Sequence, residues 1–443
     1  MIISLVIFIL IYFFIALLVI NYPKLSIPVS IILLPLERFN IYIGFTIDPI
    51  ILFLPILFLT IFVNYTDIKK ILLKRTPFKI DRTIIYSLVL IIVAVFLSDI
   101  FSISKFLSLK SSIYIIINII LIITSYYYVI IYKNIKTIIN SILLSSFIVS
   151  IYGIFQFFGY LFFKFDSFNI SKILYSSTIN PNTFITTIHG INFLRPDSTF
   201  TDVNTSAGYL LIIIPILIVL FFVNKKDTNK YITNYAKYIA PVIFIYFIFT
   251  FSEAAIIGLI FSVIYILVAL KVYKNKNFKY YIMFLILILL IMLIKINLIL
   301  KYFYYKERFS YLGHYILVKY SYIIFLKHAI FGTGIGTFSY YFGTYIKPYI
   351  NYYYNNVDNP PLFLLWLSEI GIIGFLSYMY FFFNFFRKIM IRIDNIDNTK
   401  KIILVSLLSG FIGIVVSNFF HSYLTLMFNW EIIGLLLGIS VII

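Results

Sequence analysis

Runs of about 18 to 22 apolar residues recur along the whole chain, and each is long enough to cross a ~30 Å hydrocarbon core as a helix. Few other folds survive that constraint. Apolar residues make up 62% of the 443-residue chain and charged residues only 12%, with a mean hydropathy of +1.05, well outside soluble globular domains. The expected fold is therefore an all-α polytopic membrane protein. One continuous helical bundle over residues 1–443 replaces the three or so soluble domains that the length alone suggests.

Reading in order, spans are expected at Ile2–Ile20, Ile50–Val63, Thr83–Leu97, Ser112–Tyr132, Thr137–Phe163, Ser206–Val223 and Tyr238–Phe251. They continue at Ala254–Leu270, Tyr280–Leu300, Leu362–Phe386, Ile402–Phe419 and Leu426–Ile443. That makes twelve transmembrane helices, or thirteen if Pro23–Asp48 also crosses. The apolar core of that segment, Ile27–Leu34, is short and bounded by Pro28, Pro35, Glu37 and Arg38, which suits an interfacial or re-entrant piece. The first run opens at Ile2 with no basic region before it and no small-residue cleavage site after it, so it reads as a retained span.

A formal charge of +19 points to nucleic acid in a soluble protein, but here the charge reports topology. Alternate short loops, Thr66–Arg82, Lys133–Lys136, Asn224–Lys237, Lys271–Lys279 and Arg387–Lys401, hold 21 of the 35 Lys/Arg. A basic excess marks the cytoplasmic side. The two long segments that carry ten more, Lys164–Arg195 and Lys295–Lys347, then face outward together, as the outer loops 164–205 and 301–361. The absence of cysteine removes disulfides and thiolate chemistry.

Chemistry at a membrane surface is most readily built in Lys301–Pro361, which combines basic residues, tyrosines, His314 and His328 with the glycines Gly332, Gly334 and Gly336. From Arg308 to Lys327 apolar positions recur at helical spacing, as in a helix lying in the interface. The GTGIGTF stretch lacks the Lys-Ser/Thr of a phosphate loop and follows no strand, so it reads as a sharp turn with close backbone approach. The two histidines are too isolated to suggest a metal site. Arg195, Asp197, Asp202 and Asn204 stand just before a span. They form either a solvated helix start capped by Thr205 or Asn204, or an anion site served by Arg195. Glu253 sits between two spans with almost no loop, as a helix cap or as a carboxylate suited to general-base work. Asp358 and Asn359 precede a span that carries Glu369, which is either a functional acid or an interhelical hydrogen bond. The tyrosines suit sugar stacking or an interfacial aromatic belt.

In order, RPDSTFTDVNTSAGYL, the short SEAA turn, KERF, LKHAIFGTGIGTF and LFLLWLSEIGIIGF resemble the O-antigen polymerase and O-antigen ligase superfamily over Leu194–Phe375. The resemblance implies a membrane glycosyltransferase of the cytoplasmic (inner) membrane that builds cell-envelope polysaccharide. Its donor and acceptor would be oligosaccharides linked to polyprenyl (undecaprenyl) diphosphate, bound at the extracytoplasmic face among membrane lipids. A chain-length regulator is a further implied partner, and neither metal nor other cofactor is implied. By the resemblance, Arg195 and Arg308 hold the diphosphate, for which a bidentate guanidinium is well shaped. The base is one of Asp358, Glu253 and His314. The chain has Ser252-Glu253 where the family often has Ser-Arg, and Asp358-Asn359 near where the ligases carry His-Asn.

Polymerisation of lipid-linked repeat units is the leading expectation, and ligation of finished glycan to lipid A core or protein the next. A lipid-linked oligosaccharide flippase would need ionisable groups along the bilayer midplane, where the helices are nearly uncharged. A scaffold without chemistry would leave Arg195 and Arg308 dispensable.

Overall fold

A computed structural model describes residues 13–36, 41–42, 46–47, 80–163, 185–188, 191–222, 235–271, 307–346 and 359–443. Near the N-terminus, α1 (Phe13–Asn21) and the helical segment Pro23–Leu33 meet at 119°. The second arm is a 3-10 turn, Pro23–Leu25, followed by α2 (Ser26–Leu33). Pro23 starts the turn because a proline needs no hydrogen-bond acceptor at the first helical position. This second arm opens the Pro23–Asp48 segment expected to be interfacial or re-entrant, and its bend fits either a broken span or a re-entrant loop. Two strand pairs complete the non-helical structure of the described residues: β1 (Ile41–Tyr42) with β2 (Thr46–Ile47), and β3 (Ile185–Ile188) with β4 (Ile191–Leu194), both antiparallel.

The bundle continues with α3 (Arg82–Phe101), α4 (Lys105–Tyr132), α5 (Ile135–Phe163), α6 (Val203–Leu210) and α7 (Ile214–Phe222). Then follow α8 (Ala236–Phe249), α9 (Glu253–Ala269), α10 (Glu307–Lys327), α11 (Phe338–Ile346), α12 (Leu362–Asp394), α13 (Asn398–Ser417) and α14 (Met427–Ile442). Six of the described spans are long and apolar enough to cross a bilayer, seven if the bent pair counts as one, and α8, α9 and α14 are shorter apolar helices. The expected spans Ile50–Val63 and Tyr280–Leu300 lie outside the described residues. The chain is thus an integral membrane protein with a helical bundle.

Apolar side chains cover both faces of these helices. Tyr86, Val89, Val93, Phe96 and Ile100 of α3 are exposed, while Ile84, Leu88, Ile91 and Val95 are buried. Apolar exposure of this kind is ordinary where the solvent is lipid, and helix association then rests on close packing and interhelical hydrogen bonds. The α9–α13 contact shows both. A Cβ on Gly258 would lie 2.4 Å from the Gly413 carbonyl oxygen, and Ser262 Oγ donates to the Ser409 carbonyl at 2.7 Å. Such a bond contributes roughly 0.6 to 2 kcal/mol in a membrane. One contiguous core joins the spanning helices, and a smaller cluster of Leu317, Ile324, Phe338, Tyr341, Phe342 and Leu365 seats α10 and α11 against α12.

The GTGIGTF stretch is a sharp turn, as expected, and its docking partner is a break in α12. Gly371 has φ 63° and ψ −170° inside that helix, which opens backbone groups that a continuous helix would satisfy. The turn supplies them. Ile372 N–H donates to the Ala329 carbonyl at 2.8 Å, while Gly334 N–H and Thr333 N–H donate to the carbonyls of Glu369 (2.8 Å) and Ser368 (3.1 Å). Gly332, Gly334 and Gly336 all have positive φ, and a Cβ on Gly332 would fall 2.3 Å from the Glu369 carbonyl oxygen. Glycine is required by both conformation and space. Glu369 itself is buried and accepts from Phe338 N–H at 2.9 Å, at the start of α11. Its role here is the structural hydrogen bond, made to a helix N-terminus where a carboxylate is favoured. Ser98 Oγ of α3 also donates to the Glu369 carbonyl at 2.7 Å, so the latch ties three helices and the turn together.

Candidate active site

Arg195 follows β4 directly and is fixed from several sides by its neighbours in sequence. Tyr246 of α8 donates its hydroxyl to the Pro196 carbonyl at 3.2 Å. Gln156 of α5 takes the Ser198 N–H at 2.7 Å and gives its amide to Asp197 Oδ1 at 3.3 Å and to the Ser198 carbonyl at 3.2 Å. Ser198 Oγ donates to the Val149 carbonyl at 2.6 Å, and Ser198 adopts φ 58°, an uncommon conformation for a residue with a side chain. A segment held this tightly orients its arginine. Arg195 Nε donates to the Thr250 carbonyl at 3.1 Å, which turns the guanidinium toward the α8–α9 corner where Glu253 stands.

The helix start after Arg195 is capped by Asp202, which accepts from Thr205 N–H at 2.8 Å. This corrects the expectation of a Thr205 or Asn204 cap. Asp202 has the extended backbone of an N-cap and a side chain short enough to reach the third helical N–H. Asn204 is used otherwise, accepting from Ser252 Oγ at 2.8 Å. Ser252 in turn is the N-cap of α9, facing Ala255 N–H at 3.4 Å, and Glu253 occupies the first turn, where the helix dipole favours a carboxylate.

His421 is the centre of this group, and sequence reasoning missed it. It lies between α13 and α14, in a loop pinned by Asn418, whose Oδ1 accepts from Leu424 N–H at 2.8 Å, and by Asn429, whose amide donates to the Tyr423 carbonyl at 2.7 Å. Ser417 and Tyr423 also share a hydroxyl hydrogen bond. The imidazole is partly buried, with its ring centroid 6.1 Å from that of His314 on α10. Burial pushes its pKa down to about 4, Asp202 and Glu253 oppose that shift, and His314 and Arg195 add to it. Those four residues lie within electrostatic reach of one imidazole, which is neutral at neutral pH. The His421 carbonyl accepts from Leu362 N–H at 3.0 Å, which joins the loop to the first turn of α12, four residues after Asp358 in sequence. A signal for His421 was present: the alternation of basic loops assigns its loop to the same membrane face as the long segments.

Of the five residues singled out from sequence, Arg195, Glu253 and His314 come together at one end of the bundle. Arg308 contributes backbone only, in the first turn of α10, and its side chain lies outside the described residues, as does Asp358. His328 is elsewhere, at the far end of α10, with its ring edge-on to Tyr341 at 5.4 Å. The assembled groups comprise a guanidinium suited to phosphate, two carboxylates and two imidazoles. That set can hold an anionic leaving group and move a proton beside it.

Residues 238–379 match the family model described as O-antigen ligase, a stretch that includes Glu253, Arg308, His314, Asp358 and the Gly371 break and leaves out Arg195 and His421. No curated protein and no solved structure matches the chain. The matched family consists of glycosyltransferase-like membrane enzymes. The match over residues 238–379 supports the resemblance of this part of the chain to the O-antigen polymerase and ligase superfamily.

Proposed function

We propose that this protein is a polysaccharide polymerase of the cytoplasmic membrane, transferring a growing glycan from its polyprenyl diphosphate to a hydroxyl of an incoming lipid-linked repeat unit. The observation that carries the reading is that His421 lies beside His314 and within electrostatic reach of Arg195, Asp202 and Glu253 at one end of the bundle. By the charge pattern of the loops, that end faces outward.

In this reading the acceptor oxygen attacks the anomeric carbon as the bond from that carbon to the diphosphate oxygen breaks. Arg195 binds the departing diphosphate, where the charge it stabilises grows during the reaction, and Arg308 adds a second guanidinium from α10. The acceptor proton passes to a base. Glu253 and His314 remain candidates from sequence, as does Asp358, and His421 joins them with the best-defined surroundings. The neutral imidazole can accept the proton, and the neighbouring Asp202 and Glu253 carboxylates stabilise the imidazolium that results.

The test is incubation of purified protein in lipid nanodiscs with lipid-linked repeat units and no ATP. Lengthening of the lipid-linked chains is expected, and its loss in Arg195→Ala and in Arg308→Ala with normal membrane insertion. Transfer only to a separate acceptor would replace polymerase with ligase. Normal product lengths from both variants would overturn the assignment of the diphosphate site.

A further inference from the structure

At the end of the bundle opposite the candidate active site, a small cleft opens between α3, α4, α12 and α14. Its polar lining is Asp81, Tyr126, Lys388, Arg392 and Ser440, and aliphatic side chains such as Ile84 and Leu437 form its wall. The two cations sit one helical turn apart on α12, and they are not equivalent. Lys388 pairs with Asp81, whose other oxygen takes Thr83 N–H at 2.9 Å and Thr83 Oγ1 at 2.8 Å. Asp81 is thus fully occupied by its helix cap and its lysine. Among the described residues Arg392 has no side-chain hydrogen bond or ion pair, and it lies within electrostatic reach of the Tyr126 hydroxyl. The cleft carries two positive groups and one negative.

We infer that this cleft binds the phosphodiester head group of an anionic phospholipid, with Arg392 as the principal ligand, Lys388 beside it and an acyl chain along Ile84 and Leu437. A planar guanidinium with open donors fits two phosphate oxygens. The aliphatic wall and the position at the ends of spanning helices favour a lipid over a free anion. The loops that the charge pattern assigns to that face carry most of the chain's lysines and arginines, and basic clefts between helices at that face attract anionic head groups. The site is remote from the glycosyl-transfer residues and does not depend on their assignment.

Native mass spectrometry of the full-length protein in detergent tests this, with phosphatidylglycerol, phosphatidylcholine and inorganic phosphate as separate probes. Wild type should retain phosphatidylglycerol in preference to phosphatidylcholine, and inorganic phosphate should not displace it. Arg392→Gln should weaken phosphatidylglycerol binding about five-fold, from roughly 1 kcal/mol per basic group at a membrane surface, while Arg392→Lys should keep most of it. The wild-type comparison decides the matter even if a variant folds poorly. Equal retention of the two lipids, displacement by inorganic phosphate, or full binding by a folded Arg392→Gln would each overturn the inference.

Discussion

His421 shows how much a single side chain owes to neighbours that are distant in sequence. Arg195 and Asp202 act on it from one segment, Glu253 and His314 from two others, and no spacing within the chain relates the three segments. As a base it must be unprotonated. Its pKa of about 4 leaves it neutral across the physiological range, and a bound diphosphate would raise that value by favouring the imidazolium. The acid limb of kcat is therefore expected at higher pH than that of kcat/KM, in pH–rate profiles measured on lipid-linked substrate. His421→Asn should lower kcat by about 10²- to 10⁴-fold while donor binding stays near wild type. Loss of binding along with turnover would make His421 a structural residue. The same shift bears on stability. A histidine pKa below its unfolded value of 6.5 stabilises the fold above that pH, and the contribution disappears as pH falls toward 4. Thermal unfolding of His421→Asn should show a weaker dependence on pH across that window.

Among the elements, α12 and the glycine turn form the most demanding arrangement. Glu369 was legible in the sequence as an acid within an apolar run, and Gly332, Gly334 and Gly336 as a turn. Their contact was not, because more than thirty residues separate them and the hydropathy of α12 is continuous through Gly371. Gly371→Ala places a Cβ 2.3 Å from the Ile330 carbonyl oxygen at φ +63°, so a loss of about 2 kcal/mol or more is expected, read as a lower unfolding midpoint in detergent. Glu369→Ala leaves the buried Phe338 N–H without its acceptor and should cost about 1 to 3 kcal/mol, with Glu369→Gln closer to wild type because it keeps an acceptor oxygen. At the other end of α12, the Lys388 ammonium holds the Asp81 carboxyl down to about 2, with burial opposing it. A depressed carboxyl pKa stabilises the fold above the unfolded value of 3.8, and this is lost as pH falls through about 2. Both side chains are roughly one-third exposed, so screening limits the pair to about 0.2 to 1 kcal/mol, seen as a small drop in the midpoint of Asp81→Asn at neutral pH.

On the scale of the whole molecule, the bundle has one end built around His421 and another around the Asp81–Lys388 pair. The loop charges predict that these ends face opposite sides of the membrane. Because the chain has no cysteine, single replacements at Ser422 and Asp397 can be labelled cleanly in intact cells with an impermeant thiol reagent. Ser422→Cys should react from outside and Asp397→Cys only after permeabilisation, and labelling from the same side would sink the proposed orientation. By itself the sequence determined that the chain is a helical membrane protein and roughly where the described apolar helices begin and end, since hydropathy is a local quantity that a bilayer sorts directly. Only the tertiary structure decided that α12 is broken at Gly371, that Asp202 and not Thr205 caps its helix, and that His421 stands among Arg195, Glu253 and His314. Those facts depend on which helices touch. In lipid that choice rests on small residues and a few buried hydrogen bonds, which leave almost no trace in the pattern of apolar and polar residues.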